Sequence, residues 1–197
     1  MRFIGNQSSG KMGFAIAEEA ANQGAEVILI CGPVQLQTQH PNITRINVTS
    51  AQEMYEATLQ YFPNVDGAIL SAAVADFTPV TKYNQKIKEK QSLTIELKPN
   101  PDIAQELGKL KTDKQVLAGF ALETNNEFEH AQGKLEKKNF DFIVLNSLAD
   151  KGAGFGYDTN KVTIIQRNGD VKNYDLKSKK EVAKDIITTL ATIFNEK

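Results

Sequence analysis

Gly5-Asn6-Gln7-Ser8-Ser9-Gly10-Lys11-Met12-Gly13 gathers three glycines, two hydroxyls, two neutral amides and a lysine between an apolar entry, Phe3-Ile4, and an amphipathic run from Phe14 to Ala20. That order suits an anion. Glycines let the backbone turn tightly, and the first N–H groups of a helix have no partners within it, so they attract a phosphate or carboxylate. The spacing excludes two familiar nucleotide loops. The phosphate-binding loop of NTPases needs Ser or Thr after its lysine to hold magnesium, and here Met12 follows Lys11. The dinucleotide fingerprint sets its glycines two and three residues apart, whereas Gly5, Gly10 and Gly13 are five and three apart. On spacing alone, a turn that only brings a helix close to a sheet is the competing reading.

Further along, Ala72-Ala73-Val74-Ala75-Asp76 joins small residues to one carboxylate. Small side chains let a base or sugar approach the backbone, and Asp76 could accept from a hydroxyl or serve a metal; a capped, solvated turn would use the same residues. Lys86-Ile87-Lys88 could neutralise phosphate charge or simply be solvated. Lys134 and Lys138, four apart in a helical pattern, share a face with His130 a turn earlier, which suits a triphosphate or an ordinary wet surface. Phe120, in Gly119-Phe120-Ala121, reads as core or as the flank of a base. No Ser-His-Asp set, paired-carboxylate motif or metal cluster competes with these, so any catalysis rests on positioning and charge stabilisation.

The remaining composition narrows the setting. A chain of 197 residues with 41% hydrophobic content suits a single globular domain. Lys plus Arg (23) nearly balances Asp plus Glu (24), so no global field draws the protein to nucleic acid or an anionic membrane. The one cysteine, Cys31, excludes an internal disulfide and fits a reducing compartment. His40 and His130 lie far apart without Cys or His neighbours, which argues against zinc. No apolar run approaches the roughly 20 residues that cross a bilayer and no signal peptide is evident, so a soluble, cytoplasmic protein is expected.

The elements that must position these residues alternate between strand and helix. A helix is predicted over about 11–23, stopped by Gly24, followed by an apolar strand over 25–31 and a short strand over 44–48. Ser50-x-x-Glu53 reads as a capping box opening a helix to about Phe62, and 66–71 as a buried strand. No period persists over 72–91; 93–97 alternates as a strand, and Asn100-Pro101-Asp102 reads as a capping Asn with Pro at the first helical position. Strands at 115–122 and 141–145 flank a helix over about 126–138, and a glycine-rich loop, 152–156, follows. Strands at 161–167 and 171–175 flank Asn168-Gly169, a two-residue hairpin signal, and Ser178-x-x-Glu181 caps the last helix. Alternation of this kind gives an α/β fold with a mostly parallel sheet whose ligands bind beyond the carboxyl ends of the strands. The chain reaches its glycine loop within four residues, so the expected domain, 1–197, lacks the strand that normally precedes a first helix.

Taken in order, the motifs Asn6 to Gly13, Ala72 to Asp76, Lys86 to Lys88, Asn100-Pro101-Asp102-Ile103, Gly119 to Thr124 and Lys138-Asn139 resemble phosphopantothenoylcysteine synthetase. More narrowly, they are similar to the carboxy-terminal half of bacterial bifunctional coenzyme A biosynthesis proteins. The resemblance implies a Rossmann-like three-layer fold with a C-terminal β-hairpin. It also implies a two-step ligation: the carboxylate of 4′-phosphopantothenate attacks the α-phosphate of CTP, and the amine of cysteine then displaces CMP from the acyl-cytidylate. Mg2+ is the implied cofactor. Asn6 and Lys86 become the implied catalytic residues, and Asn6, Ser9 and Gly10 the phosphopantothenate contacts. Ala72, Ala73, Asp76, Lys86, Pro101, Asp102, Ile103, Ala104, Phe120, Lys134 and Lys138 become the nucleotide contacts. Relatives form dimers, for which the 161–175 hairpin is the expected contact, and a phosphopantothenoylcysteine decarboxylase domain is an expected fused or associated partner. The chain departs from its relatives in lacking the upstream strand with its Gly-Pro-Thr type loop, and in placing Thr78 where many carry Arg.

Two other readings stay open at this stage. A nicotinamide-dependent reductase would fit the fold class, but the strand ending in Cys31-Gly32-Pro33 offers no acid for a ribose, and Tyr83-x-x-Lys86 is one residue short of a Tyr-x3-Lys pair. An inactive nucleotide-binding fragment is the other.

Overall fold

The computed structural model describes residues 5–6, 8–81, 83, 94–123, 126–147 and 157–197. Lys86 and Lys88, the 152–156 loop and the Phe3-Ile4 entry lie outside these residues.

The first half of the chain builds α1 (Lys11–Asn22), β1 (Val27–Cys31), β2 (Ile43–Asn47), α2 (Ala51–Tyr61), β3 (Gly67–Leu70), β4 (Phe77–Pro79) and β5 (Leu97–Pro99). The second half adds α3 (Ile103–Leu110), β6 (Val116–Glu123), α4 (Glu127–Lys137), β7 (Phe142–Ser147), β8 (Thr159–Asn160), β9 (Val162–Gln166), β10 (Val171–Asn173), β11 (Lys177–Ser178) and α5 (Lys179–Asn195). The main sheet has the order β10-β9-β7-β6-β3. In it β3, β6 and β7 are parallel, while β9 and β10 add an antiparallel hairpin. β1 and β2 form a separate parallel ladder.

Alternation along the strands sends successive side chains to opposite faces. Val116, Ala118, Phe142, Val144, Val162 and Ile164 pack with Ile16 of α1 and Val182 and Ile186 of α5. Leu117, Ala121, Ile143 and Leu145 pack with Ile103 and Leu107 of α3 and Ala131 and Leu135 of α4. Three layers result. A parallel strand covered on both faces has no polar side to show, which is why β3 and the first four residues of β7 read as apolar runs.

Close approach depends on two glycines. A Cβ on Gly108 of α3 would lie 2.1 Å from the Lys138 carbonyl oxygen, and one on Gly119 of β6 would lie 2.5 Å from the Phe140 ring. α3 therefore rests directly on the end of α4. Beneath this junction, Asp141 accepts from the Leu117 amide (2.7 Å), from Lys111 (2.9 Å) and from Lys197 (3.0 Å).

Several sequence expectations are corrected. Asn100 does not cap α3: Asp102 does, accepting from Gln105 N at 3.0 Å, with Pro101 ahead of it. The strand expected over 93–97 is found at Leu97–Pro99, paired with β4, which was not foreseen. The hairpin does not turn on two residues. Gln166 N donates to Asp170 O, and Gly169 takes φ 95 in a three-residue loop, the geometry of a type I turn with a left-handed glycine. At α2 Ser50 caps as expected, but Glu53 reaches back to Thr49 N (2.7 Å) instead of closing a reciprocal box. The box at Ser178 and Glu181 closes in both directions. Among the described residues, no helix is long and apolar enough to cross a membrane.

Candidate functional site

Gly10 caps α1 with φ 75, a backbone state that favours glycine. The helix start is pressed against the carboxyl end of β3, since a Cβ on Gly13 would stand 2.9 Å from Ser71 Oγ. The Ser8 hydroxyl accepts weakly from Gly10 N (3.4 Å), and that of Ser9 from Lys11 N (3.5 Å). Lys11 Nζ meets Asp158 at 2.6 Å. The glycine-rich stretch thus opens a helix beside the carboxyl end of β3, with a cation in its first position.

From there a line of hydrogen bonds crosses the edge. Asn6 Nδ2 donates to Val74 O at 3.1 Å, inside the small-residue segment. Asn100 holds the next two residues, its side-chain amide donating to Ala75 O and its backbone N–H to Asp76 O, each at 2.8 Å. Two residues on, Asp102 pairs with Lys138. Lys138 sends its side chain from the end of α4 to the start of α3. Burial alone would raise the Asp102 carboxyl, but the Lys138 ammonium and the Gln105 amide outweigh it and hold the group below the usual carboxylate range. The Asp102 carboxyl is therefore ionised at neutral pH.

Asn6, the 72–76 segment, the 101–104 helix start and Lys138 are thus brought together by direct contacts. Ala72, Asp76, Pro101 and Asp102 are exposed, whereas Ile103 is buried beneath them and Ala104 is partly buried. Phe120 extends one residue past the β3–β6 register and packs partly buried on the α1 face, beside the cluster that Met12 also joins. It is both core and edge. Lys134 is exposed one turn before Lys138.

The reading of the sequence missed Asn100 as the residue that pins the small-residue segment, because an Asn before Pro is the ordinary signal of a cap. It also missed two side-chain amides, of Asn146 and Asn160, whose buried Oδ1 atoms have no hydrogen-bond partner among the described residues. An Asn at the carboxyl end of an apolar strand was the available signal for the first. No group of three or more His, Cys, Asp or Glu residues is placed to hold a metal among the described residues. Asp102 and Asp158 are engaged with lysines, which leaves Asp76 as the carboxylate of this edge without an ion pair to a described residue. Such a donor set suits magnesium carried on a polyphosphate, which binds through one or two carboxylates and its own waters, better than a protein-built cage.

Chemically, the edge offers a neutral amide, backbone groups beside small side chains, and ammonium groups at its two ends. It is equipped to hold anions and a carbonyl in register while two bound reactants meet.

The chain matches the family model described as the DNA/pantothenate metabolism flavoprotein C-terminal domain over residues 1–194. It is 52% identical over 194 residues to a cysteine/cysteine sulfinic acid decarboxylase from an unknown prokaryotic organism, covering 98% of this chain and 54% of that protein. It is 44% identical to the coenzyme A biosynthesis bifunctional protein CoaBC of Bacillus subtilis (strain 168), covering 98% and 48%. The chain thus spans about half the length of the curated relatives it matches. Among solved structures, the crystal structure of the C-terminal domain of CoaBC superposes with a TM-score of 0.83 at 43% identity, covering 100% of this chain and 89% of that one. A Cab2 variant in complex with phosphopantothenate-cysteine shares the fold, with a TM-score of 0.72 at 16% identity, covering 100% and 82%.

Proposed function

The chain belongs to the DNA/pantothenate metabolism flavoprotein C-terminal domain family, and from that premise we propose that it is a phosphopantothenate–cysteine ligase of coenzyme A biosynthesis, driven by CTP. The observation that carries the proposal is the hydrogen-bonded line from Asn6 through Val74, Ala75 and Asp76 to Asn100, Asp102 and Lys138. It gathers residues from four distant stretches of sequence on one edge.

In this reading the 4′-phosphopantothenate carboxylate oxygen attacks the α-phosphorus of CTP, and the bond to the departing pyrophosphate breaks. The amine of cysteine then attacks the acyl carbon, loses its proton and expels CMP. Asn6 holds the acyl carbonyl without adding charge beside the anhydride. Ser9 and the Gly10 turn face the phosphopantothenate. Ala72 and Ala73 let the nucleotide approach the backbone, with Phe120 flanking it, and Lys134 and Lys138 meet its phosphates. Lys86 is proposed to neutralise charge on the triphosphate. Magnesium, held on the nucleotide with Asp76 as the available carboxylate, would neutralise phosphate charge.

The reading also proposes a cytoplasmic homodimer, with a phosphopantothenoylcysteine decarboxylase domain fused or associated. The hairpin is the proposed dimer contact, because exposed Phe128 and Val171 flank a hollow of about 210 Å³ beside it.

The test is a mixture of protein, 4′-phosphopantothenate, CTP and Mg2+. Pyrophosphate should appear without cysteine, and CMP should be released when cysteine is added. A chain that binds CTP but releases no pyrophosphate is the inactive fragment instead, and one that binds NADH tightly and CTP not at all is a reductase.

A further inference from the structure

α4 closes on Asn139, whose φ of 53 is the left-handed state. The Asn139 N–H donates to Glu136 O (3.1 Å) and that of Phe140 to Leu135 O (3.0 Å), the paired bonds that end a helix when one left-handed residue follows its last turn. Glycine is the usual residue at that point, because any side chain strains the backbone there. The turn itself therefore gives no reason to prefer asparagine.

The reason lies across the gap, on α3. Asn139 Nδ2 donates to Gly108 O at 2.8 Å. Gly108 stands in the last turn of α3, where carbonyls have no helical N–H to accept from, so the amide satisfies a group that the helix leaves open. Lys111 answers from α3, its ammonium donating to Asn139 O at 2.7 Å. Between the two bonds the backbones touch, since a Cβ on Gly108 would lie 2.1 Å from Lys138 O and 3.2 Å from Asn139 Cβ. The end of α3 and the end of α4 are thus clasped in both directions.

The residue before the clasp is Lys138. Its carbonyl rests on Gly108, while its ammonium pairs with Asp102 at the start of the same helix. Consecutive residues therefore hold α3 at its two ends, and any slide of α3 against α4 changes where the Lys138 ammonium stands. We infer that Asn139 is a positioning residue: its side-chain amide locks α3 to the end of α4 and so fixes the place of the Lys138–Asp102 pair at the ligand edge. The choice of CTP as the probe below rests on the ligase reading; the clasp itself does not.

Asn139→Gly separates the clasp from the turn, because glycine suits the left-handed backbone and removes only the amide. Asn139→Asp keeps the size and has no amide to donate. The first measurement acylates the amines of the whole chain and reads labelling residue by residue by mass spectrometry. Lys138, whose side chain is 15% exposed, should label several-fold faster in both variants, with the exposed Lys184 as an unchanged reference. The second follows binding by calorimetry. Asn139→Gly should weaken CTP about 10-fold in the wild-type background and hardly at all where Lys138→Met has already removed the ammonium, because effects routed through one contact do not add. Affinity for 4′-phosphopantothenate, whose proposed contacts are Asn6, Ser9 and Gly10, should stay near wild type. Unchanged Lys138 labelling in Asn139→Gly overturns the inference. So does a loss of CTP affinity that is as large in the Lys138→Met background, or one matched by an equal loss for 4′-phosphopantothenate, since either marks a general loosening of the fold. Should Asn139→Gly fail to fold, Asn139→Asp decides by the same labelling. A wild-type chain that binds no CTP sinks the ligase reading, and the labelling still decides the clasp.

Discussion

Asn6 has a neutral amide where a lysine would bind anions more strongly, and on the ligase reading proposed above a neutral group there eases the departure of a charged leaving group. Asn6→Asp keeps the shape, loses the donor to Val74 O and adds a negative charge. Cysteine transfer should fall more than activation, by about 10²- to 10³-fold in rate, the usual cost of losing one preorganised donor. Separate time courses for pyrophosphate and CMP would tell the steps apart; equal losses in both would remove Asn6 from the second step. Asp141 poses a different question, because it is buried away from this edge. Burial would raise its carboxyl, but the Leu117 amide and the Lys111 and Lys197 ammonium groups outweigh that and lower it. A carboxyl depressed in the folded state adds stability above its unfolded value, about pH 3.9, and that stability is lost as pH falls through the lower folded value. Lys111 is itself lowered, by burial and then by neighbouring cations, so it has most to lose when its carboxylate goes. Asp141→Asn should therefore cost about 3 kcal/mol at neutral pH and flatten the acid limb of a stability profile measured by urea unfolding. A wild-type acid limb would show that another carboxylate governs it.

Elements carry the next set of constraints. α3 and α4 meet backbone to backbone at Gly108, where even a methyl group would strike the Lys138 carbonyl. Gly108→Ala should destabilise by about 3 kcal/mol through overpacking and shift the Lys138–Asp102 pair, so CTP affinity should fall along with the melting temperature. If affinity holds while stability drops, the pair is not part of the nucleotide site. At α5 the closed box predicts that Ser178→Ala costs about 1 kcal/mol, read by thermal unfolding. Much at this scale was legible beforehand. Apolar runs such as Val27–Cys31 and caps such as Ser178 are local signals whose meaning does not depend on distant residues. The failures share a cause. Asn100 has the local chemistry of a cap, but its partner lies 25 residues upstream, and the β4–β5 ladder is three residues long with Phe77 exposed, which leaves no periodic trace.

At the scale of the whole molecule, the layers followed from alternating strands and helices, while the contacts that define the site did not. Lys11 meets Asp158 across 147 positions and Lys138 meets Asp102 across 36, and such pairs exist only once the sheet has brought its carboxyl ends together. Most of the motifs share one edge because the described ones sit at a strand end or a helix start, where the fold leaves backbone groups turned outward. Assembly is the corresponding prediction. Val171→Asp on the hairpin should convert a dimeric mass to a monomeric one in light scattering at micromolar concentration; a wild-type chain that is already monomeric would remove the hairpin from any interface.

The β4–β5 ladder also bears on how such a chain can vary. Val80 N donates to Glu96 O, and Thr78 stands opposite Lys98, so the two ends of the intervening stretch are clipped together like the neck of a loop of rope. The clip sets where the chain leaves Asp76 and where it returns to Asn100. Changes of sequence between the two strands can therefore leave Asp76 and Asn100 where they are, and on the ligase reading Lys86 is the position between them that such changes must spare.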